Sequence, residues 1–306
     1  MRDRAPDRPL AIGTTPPGTM MFALGKTLTK ALADDSIAAE ARPYGGTGIL
    51  IPLVQNGELD LSFCGTGDLY DQFHGVGASA GRASPDVRAI GVLFPNRFAF
   101  FVRQDSPILS RSDLAGRRVP YGFDDMPTVR ANVDALLANA GLTAADTVAV
   151  PVRNLIDNVD ALIDGRADVA FFALGQPKVA QAHAAAGGIR FLPVDPDPAA
   201  VARLRAFIRT GYVGMVAPAA DLPGVAAPMT VAQYDVVAVV NAAMPATRVV
   251  SLLRTLVGRR ADMVSGMPLF RDLDAGRMHQ AFDVPYHPGA VAYYGERGFG
   301  QASVPS

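Results

Sequence analysis

Tryptophan is absent from these 306 residues, cysteine occurs once and histidine four times. The lone Cys64 rules out an internal disulfide and any zinc site built on cysteines. His74, His183, His279 and His287 are scattered, with no two spaced four apart, so no helix offers the paired imidazoles of a zinc-protease motif. Neither a metal nor a cofactor is expected. Charge of one sign is also missing: 28 Lys and Arg face 29 Asp and Glu, for a net charge of -1. With no cationic excess to displace counterions from phosphates, nucleic acid is excluded as a partner. No apolar run approaches the roughly 18 residues that cross a bilayer, so no transmembrane segment is expected. No P-loop, dinucleotide fingerprint or Ser/His/Asp nucleophile motif is present.

What remains is a chain with 49% hydrophobic and 19% charged residues, long enough for two cores. Residues 1–9 carry charges but no apolar stretch of signal-peptide length. The expectation is a periplasmic or other extracytoplasmic protein if a signal was removed, with a cytoplasmic protein as the alternative.

Strand, loop and helix signals alternate. Leu10-Ala11-Ile12 reads as a strand, Gly13 to Thr19 as a Gly/Pro loop, and Met20, Ala23, Leu24, Leu28 and Leu32 as the apolar side of a helix. Residues 39–43 start a second such unit, with Gly45-Gly46-Thr47 as its loop, a helix ending at Gly57, and a strand over 58–63. Residues 117–121, 122–128 and 129–140 repeat the pattern as strand, loop and helix. Asn56-Gly57-Glu58-Leu59-Asp60-Leu61-Ser62-Phe63 is echoed by Asp164-Gly165-Arg166-Ala167-Asp168-Val169-Ala170-Phe171. The fold class expected is therefore α/β: two lobes, each a mostly parallel sheet flanked by helices, with loops gathered at the strands' carboxyl ends and a cleft between lobes. Lobe I is assigned residues 1–97 plus 216–306 and lobe II residues 98–215. Hinge crossings are expected near 95–103, where Pro95-Asn96-Arg97 breaks two strand-forming runs, and near 207–216, where Gly211 and Gly214 could absorb backbone change.

Several ordered blocks resemble a known family. They are Ile12-Gly13-Thr14, Gly45-Gly46-Thr47, Gly57-Glu58-Leu59-Asp60 followed by Asp68-Leu69-Tyr70, Asp113-Leu114-Ala115-Gly116, Asp164-Gly165-Arg166-Ala167-Asp168, and above all Pro285-Tyr286-His287-Pro288-Gly289-Ala290. Together they resemble the TAXI family of solute-binding proteins that serve TRAP-type transporters. The resemblance implies a type II periplasmic-binding-protein fold that captures a small organic acid or amino acid by hinge closure and delivers it to TRAP membrane subunits. Two loops depart from the family pattern. The usual Gly-Gly-Ser loop, with an Asn three residues after the Ser, corresponds to Gly45, Gly46, Thr47 and Leu50. The usual Gly-Ser-Gly-Thr corresponds to Asp125, Met126, Pro127 and Thr128, where Pro127 removes a backbone donor and Asp125 adds negative charge.

Candidate ligand-binding residues follow from these loops. Thr14, Thr15, Gly46, Thr47 and Thr66 offer hydroxyls or close backbone approach in the first lobe; Asp68 could equally cap a helix. Arg97 suits a carboxylate, since a guanidinium grips both oxygens, though a strand-end arginine can simply face water. Asp124 and Asp125 could cap the next helix or meet an amine or hydroxyl of the ligand, with Thr128 beside them. Gln176, at a strand end, and Tyr212, placed to stack, complete the set. His287 reads as a structural turn residue. An enzyme on the same fold, a dehydratase or decarboxylase acting on a small carboxylate, and a ligand sensor are the alternatives to binding for transport.

Overall fold

The computed structural model describes residues 8–124 and 126–300 of the chain; Asp125, one of the candidate residues, lies outside the described residues. Contacts divide the chain into two compact units. The first takes in β1 (Leu10–Thr14), residues Met21–Phe94, and the described chain from 235 to 300; the second takes in Gly18–Met20 and Pro95–Tyr234.

The first unit opens with three strand–helix steps: β1 into α1 (Met20–Asp34), β2 (Ala39–Pro43) into α2 (Thr47–Gln55), and β3 (Leu61–Gly65) into α3 (Thr66–His74). β1 lies between β2 and β3 and is parallel to both, with Ile12 opposite Ala41 and Leu61. Every residue of β1 and of β3 is buried, as a sheet covered on both faces requires. The long strands β4 (Val87–Arg103) and, near the end of the chain, β10 (Met229–Asn241) extend this sheet in the order β2-β1-β3-β10-β4, with β10 antiparallel to β3. The sheet is thus mixed around a parallel core.

The second unit contains β5 (Arg118–Gly122), α4 (Pro127–Asn139), β6 (Val148–Val152), α5 (Leu155–Ile163), β7 (Ala170–Ala173), α6 (Pro177–Ala185), β8 (Ile189–Phe191), α7 (Pro198–Arg205) and β9 (Tyr212–Val216). β5 and β6 form a parallel pair, β7 and β8 add antiparallel to the second half of β4, and β9 adds antiparallel to the first half of β10. Phe98 and Phe171 meet edge to face at 5.6 Å within its apolar core. After β10 the chain returns to the first unit as α8 (Ala246–Gly258), α9 (Arg260–Gly266) and α10 (Pro288–Gly295).

The echoed octapeptides build the same device twice. Gly57 and Gly165 both end a helix with φ near +72° and +71°, a left-handed turn that glycine adopts without strain. Three residues later an aspartate grips an earlier strand of its unit, β1 or β5. Asp60 Oδ2 accepts the Ala11 N–H at 2.9 Å while the Asp60 N–H reaches the Ala11 carbonyl at 2.9 Å. Asp168 Oδ2 accepts the Arg118 N–H at 2.8 Å while the Asp168 N–H reaches the Arg118 carbonyl at 2.9 Å.

Two expectations change. Pro95 does not break the run from Val87 to Arg103, which is one strand; the change of unit falls inside it, between Phe94 and Pro95. The return passage lies at Tyr234–Asp235 in β10, and residues 207–216 belong to the second unit. Gly211 and Gly214 are there for space: a β-carbon on Gly211 would stand 2.5 Å from Leu204 Cδ2, and one on Gly214 would stand 2.2 Å from Gln233 Nε2.

His287 and its block are structural, as read. The Tyr286 segment bridges to Ala89 of β4, and His287 Nδ1 caps α10 by accepting the Gly289 N–H at 3.0 Å. Gly289 lets α10 approach the start of α8, since a β-carbon would lie 2.7 Å from the Ala246 carbonyl oxygen.

Candidate functional site

In the first unit the polar candidates gather where β1, β2 and β3 end and their helices begin. Thr14, the last residue of β1, is fully buried, and its methyl occupies the notch left by Gly25 of α1. Its carbonyl accepts the Tyr44 N–H at 2.8 Å, which ties the loop after β1 to the loop after β2. Its Oγ1 is shielded from solvent and meets no hydrogen-bond partner. Such a hydroxyl costs about 1–3 kcal/mol when left unpaired, so its retention calls for an explanation. Thr15 next to it is also buried.

Gly46 occupies the N-cap position of α2 in an extended conformation and is itself buried, yet a β-carbon there would meet nothing within 4 Å. No side chain caps α2, and none caps α3, whose N-cap is Gly65 and whose first residue, Thr66, is buried. Helix N-termini of this kind present backbone N–H groups to an acceptor.

Thr47 and Asp68 join the two helix starts: Thr47 Oγ1 donates to Asp68 Oδ2 at 3.2 Å. Asp68 is not an N-cap; it lies inside the first turn of α3. Burial pushes its carboxyl up to about 6, with the Asp71 charge adding to the rise, against the lowering effects of the Thr47 hydroxyl and the Gly65 backbone. The Cys64 thiol on β3 is driven upward too, by burial and then by Asp68.

In the second unit Arg97 is half-buried on β4, and its carbonyl accepts the Leu174 N–H at 2.9 Å. This bond continues the pairing of Phe98 with Ala173 and brings Gln176, the buried N-cap residue of α6, to the same part of the unit. Tyr212 opens β9 opposite Gln233. Asp124 is exposed, beside Phe123, a buried residue with φ of 55°. The N-cap of α4 is Met126, so Asp124 does not hold that position; Thr128 lies in the helix's first turn.

Two buried amides escaped the sequence reading. Asn96 sits between Pro95 and Arg97 with Oδ1 unpaired, and the Gln233 amide takes the space beside Gly214 where a β-carbon would stand. The available signal was an uncharged polar residue inside an otherwise apolar strand, masked at Asn96 by the neighbouring Arg97.

Among the described residues no group of three or more His, Cys, Asp or Glu could hold a metal ion, and no helix is long and apolar enough to cross a membrane.

A model of the NMT1-like family matches residues 12–298. The chain belongs to the NMT1-like family. Among solved structures, this NMT1-like chain is similar to a full-length point mutant of BenM, at 13% identity over 85% of this chain and 70% of that one, with a TM-score of 0.53. It is also similar to the aliphatic sulphonate binding protein SsuA of Escherichia coli, at 15% identity over 93% and 77%, with a TM-score of 0.49. The substrate binding protein of an amino acid ABC transporter matches at 12% identity over 86% and 97%, with a TM-score of 0.49. At 13% identity the likeness to BenM concerns the fold, and the α/β architecture of helices flanking a mixed sheet agrees with it.

Proposed function

We propose that this NMT1-like protein is a solute-binding protein of the TAXI type, which takes up a small organic acid or amino acid outside the cytoplasmic membrane and passes it to a TRAP-type transporter. The observation that carries the reading is the buried Thr14 hydroxyl without a partner, at the end of a parallel strand beside two helix starts that no side chain caps. A ligand oxygen supplies what these donors lack. Thr15, Gly46, Thr47 and Thr66 belong to the same half-site. Arg97, Gln176 and Tyr212, with Asp124, Asp125 and Thr128, are assigned to the second unit's share. The ordered sequence blocks, which run through most of the region matched by the family, support the TAXI assignment.

A thermal-shift screen of amino acids, keto acids and dicarboxylates, followed by recovery of the bound molecule, tests this reading. A stabilising compound recovered unchanged is expected; recovery of a converted product overturns it. Thr14→Val, which keeps the shape and deletes the hydroxyl, should weaken the ligand by ~10-fold while leaving the ligand-free melting temperature unchanged or raised.

Asp68 favours one second reading. A buried carboxyl that titrates near 6 can exchange a proton at neutral pH, as an acid-base catalyst on the same fold would. Turnover lost in Asp68→Asn, with binding retained, would establish it.

A further inference from the structure

A carboxamide taken out of water needs new donors and acceptors. The second unit shows how it treats amides that serve structure. Asn139 accepts the Asp195 N–H at 2.8 Å and donates to the Asp195 carbonyl at 3.0 Å. Asn158 accepts the Phe171 N–H at 3.0 Å and donates to the Phe171 carbonyl at 2.6 Å.

Asn96 and Gln176 are treated differently. Asn96 is 7% exposed and its Oδ1 is shut off from solvent with no partner. Gln176 is 5% exposed and holds the N-cap position of α6, yet its side chain caps nothing. Among the described residues no hydrogen bond runs to or from either amide.

The two are neighbours by pairing. Phe98 opposes Ala173, and the Leu174 N–H reaches the Arg97 carbonyl, so the next residues along the two strands are Asn96 on one and Gly175-Gln176 on the other. Gly175 turns the chain there at φ +72°, with Leu222 Cδ2 filling the space that a side chain would take, 3.0 Å from a β-carbon built there.

Building on the solute-binding reading, we propose that Asn96 and Gln176 are the residues by which the second unit selects its ligand, and that they take a carboxamide in preference to a bare carboxylate. Asn96 Oδ1 is an acceptor, so the group that meets it must donate. A carboxamide gives its N–H to that oxygen and its carbonyl oxygen to an amide N–H of Gln176. With the Asn96 amide in this orientation, a carboxylate has no hydrogen to give to Oδ1, which would stay unpaired.

Matched pairs test this: L-glutamine and L-glutamate, L-asparagine and L-aspartate, succinamate and succinate, by thermal shift and calorimetry on the full chain. The carboxamide member should bind ~10-fold tighter. That preference should vanish in Asn96→Leu and in Gln176→Met, while the ligand-free melting temperature of each variant stays equal to or above that of the wild type. Equal or reversed preference in the wild type overturns the proposal. So does a preference that survives both substitutions, or a lowered melting temperature in the ligand-free variants, which would mark the amides as structural. If no member of any pair binds, the solute-binding reading itself loses its support. If members bind without regard to the two amides, that reading stands and only this proposal falls.

Discussion

Asp68 sits where two tendencies oppose each other. The first turn of a helix favours a carboxylate, whereas burial disfavours its charge, and burial wins. A pKa raised from 3.8 to about 6 means that the folded protein holds a proton there which the unfolded chain releases. Stability from this group is therefore full below pH 4 and declines as pH rises through 6, by up to ~3 kcal/mol if the whole shift is realised. Asp68→Asn should be the more stable protein at pH 7, by about 1–3 kcal/mol, and should lose the pH dependence between 4 and 6 in urea unfolding. Parallel curves for the two proteins would contradict this. His287 runs the other way. Burial lowers its pKa, with Arg88 adding to the fall despite the nearby carbonyls of Met244 and Ala242. Its stabilising contribution is present above about pH 6.5 and lost on acidification through the lower folded value. His287→Gln should flatten the acid limb of a stability profile measured between pH 5 and 7.

At the level of elements, the strongest sequence signals were local ones. The echo between residues 56–63 and 164–171 became two alike turns because the glycine that ends each helix and the aspartate three residues on stand in the same local order, although each aspartate's partner lies far back in the chain. Asp60→Asn should cost about 2–3 kcal/mol, since Asp60 is 4% exposed and also pairs with Arg8 at 2.8 Å. Asp168→Asn should cost closer to 1 kcal/mol, because Asp168 keeps 28% of its side chain in solvent despite its pair with Arg118. Chemical denaturation of both variants checks the order. Gly289→Ala should destabilise by about 1–3 kcal/mol, as α10 must move off the Ala246 carbonyl. The weaker sequence readings depended on partners distant in the chain. Nothing local to Pro95 reveals that it stays within a strand flanked by β7, and nothing local to Gly214 reveals Gln233. The threonine and glycine loops of the first unit were legible because strand-loop-helix order fixes where they stand. Asn96 was not, because its burial is decided by neighbouring strands.

On the scale of the whole molecule, both passages between units occur inside long strands, at Phe94–Pro95 in β4 and Tyr234–Asp235 in β10. We propose these strand interiors, in place of residues 207–216, as the sites where the backbone would have to bend. A proline scan across 232–237 should alter ligand response more than the same scan across 207–211, read by thermal shift with and without ligand. Retained response throughout 232–237 would argue against bending there.

The twin aspartate turns carry a consequence for how the protein is put together in time. Asp60 reaches back 49 residues to Ala11, and Asp168 reaches back 50 to Arg118. Each closes a chain segment of nearly the same length around its own strands, and the entropic cost of loop closure is nearly equal for the two. Neither half needs the other to fasten its turn, so assembly has two starting points of similar ease. During refolding, amides around Ala11 and around Arg118 should gain protection from hydrogen exchange as two separate groups, before β10, which joins residues far apart in the chain, becomes protected.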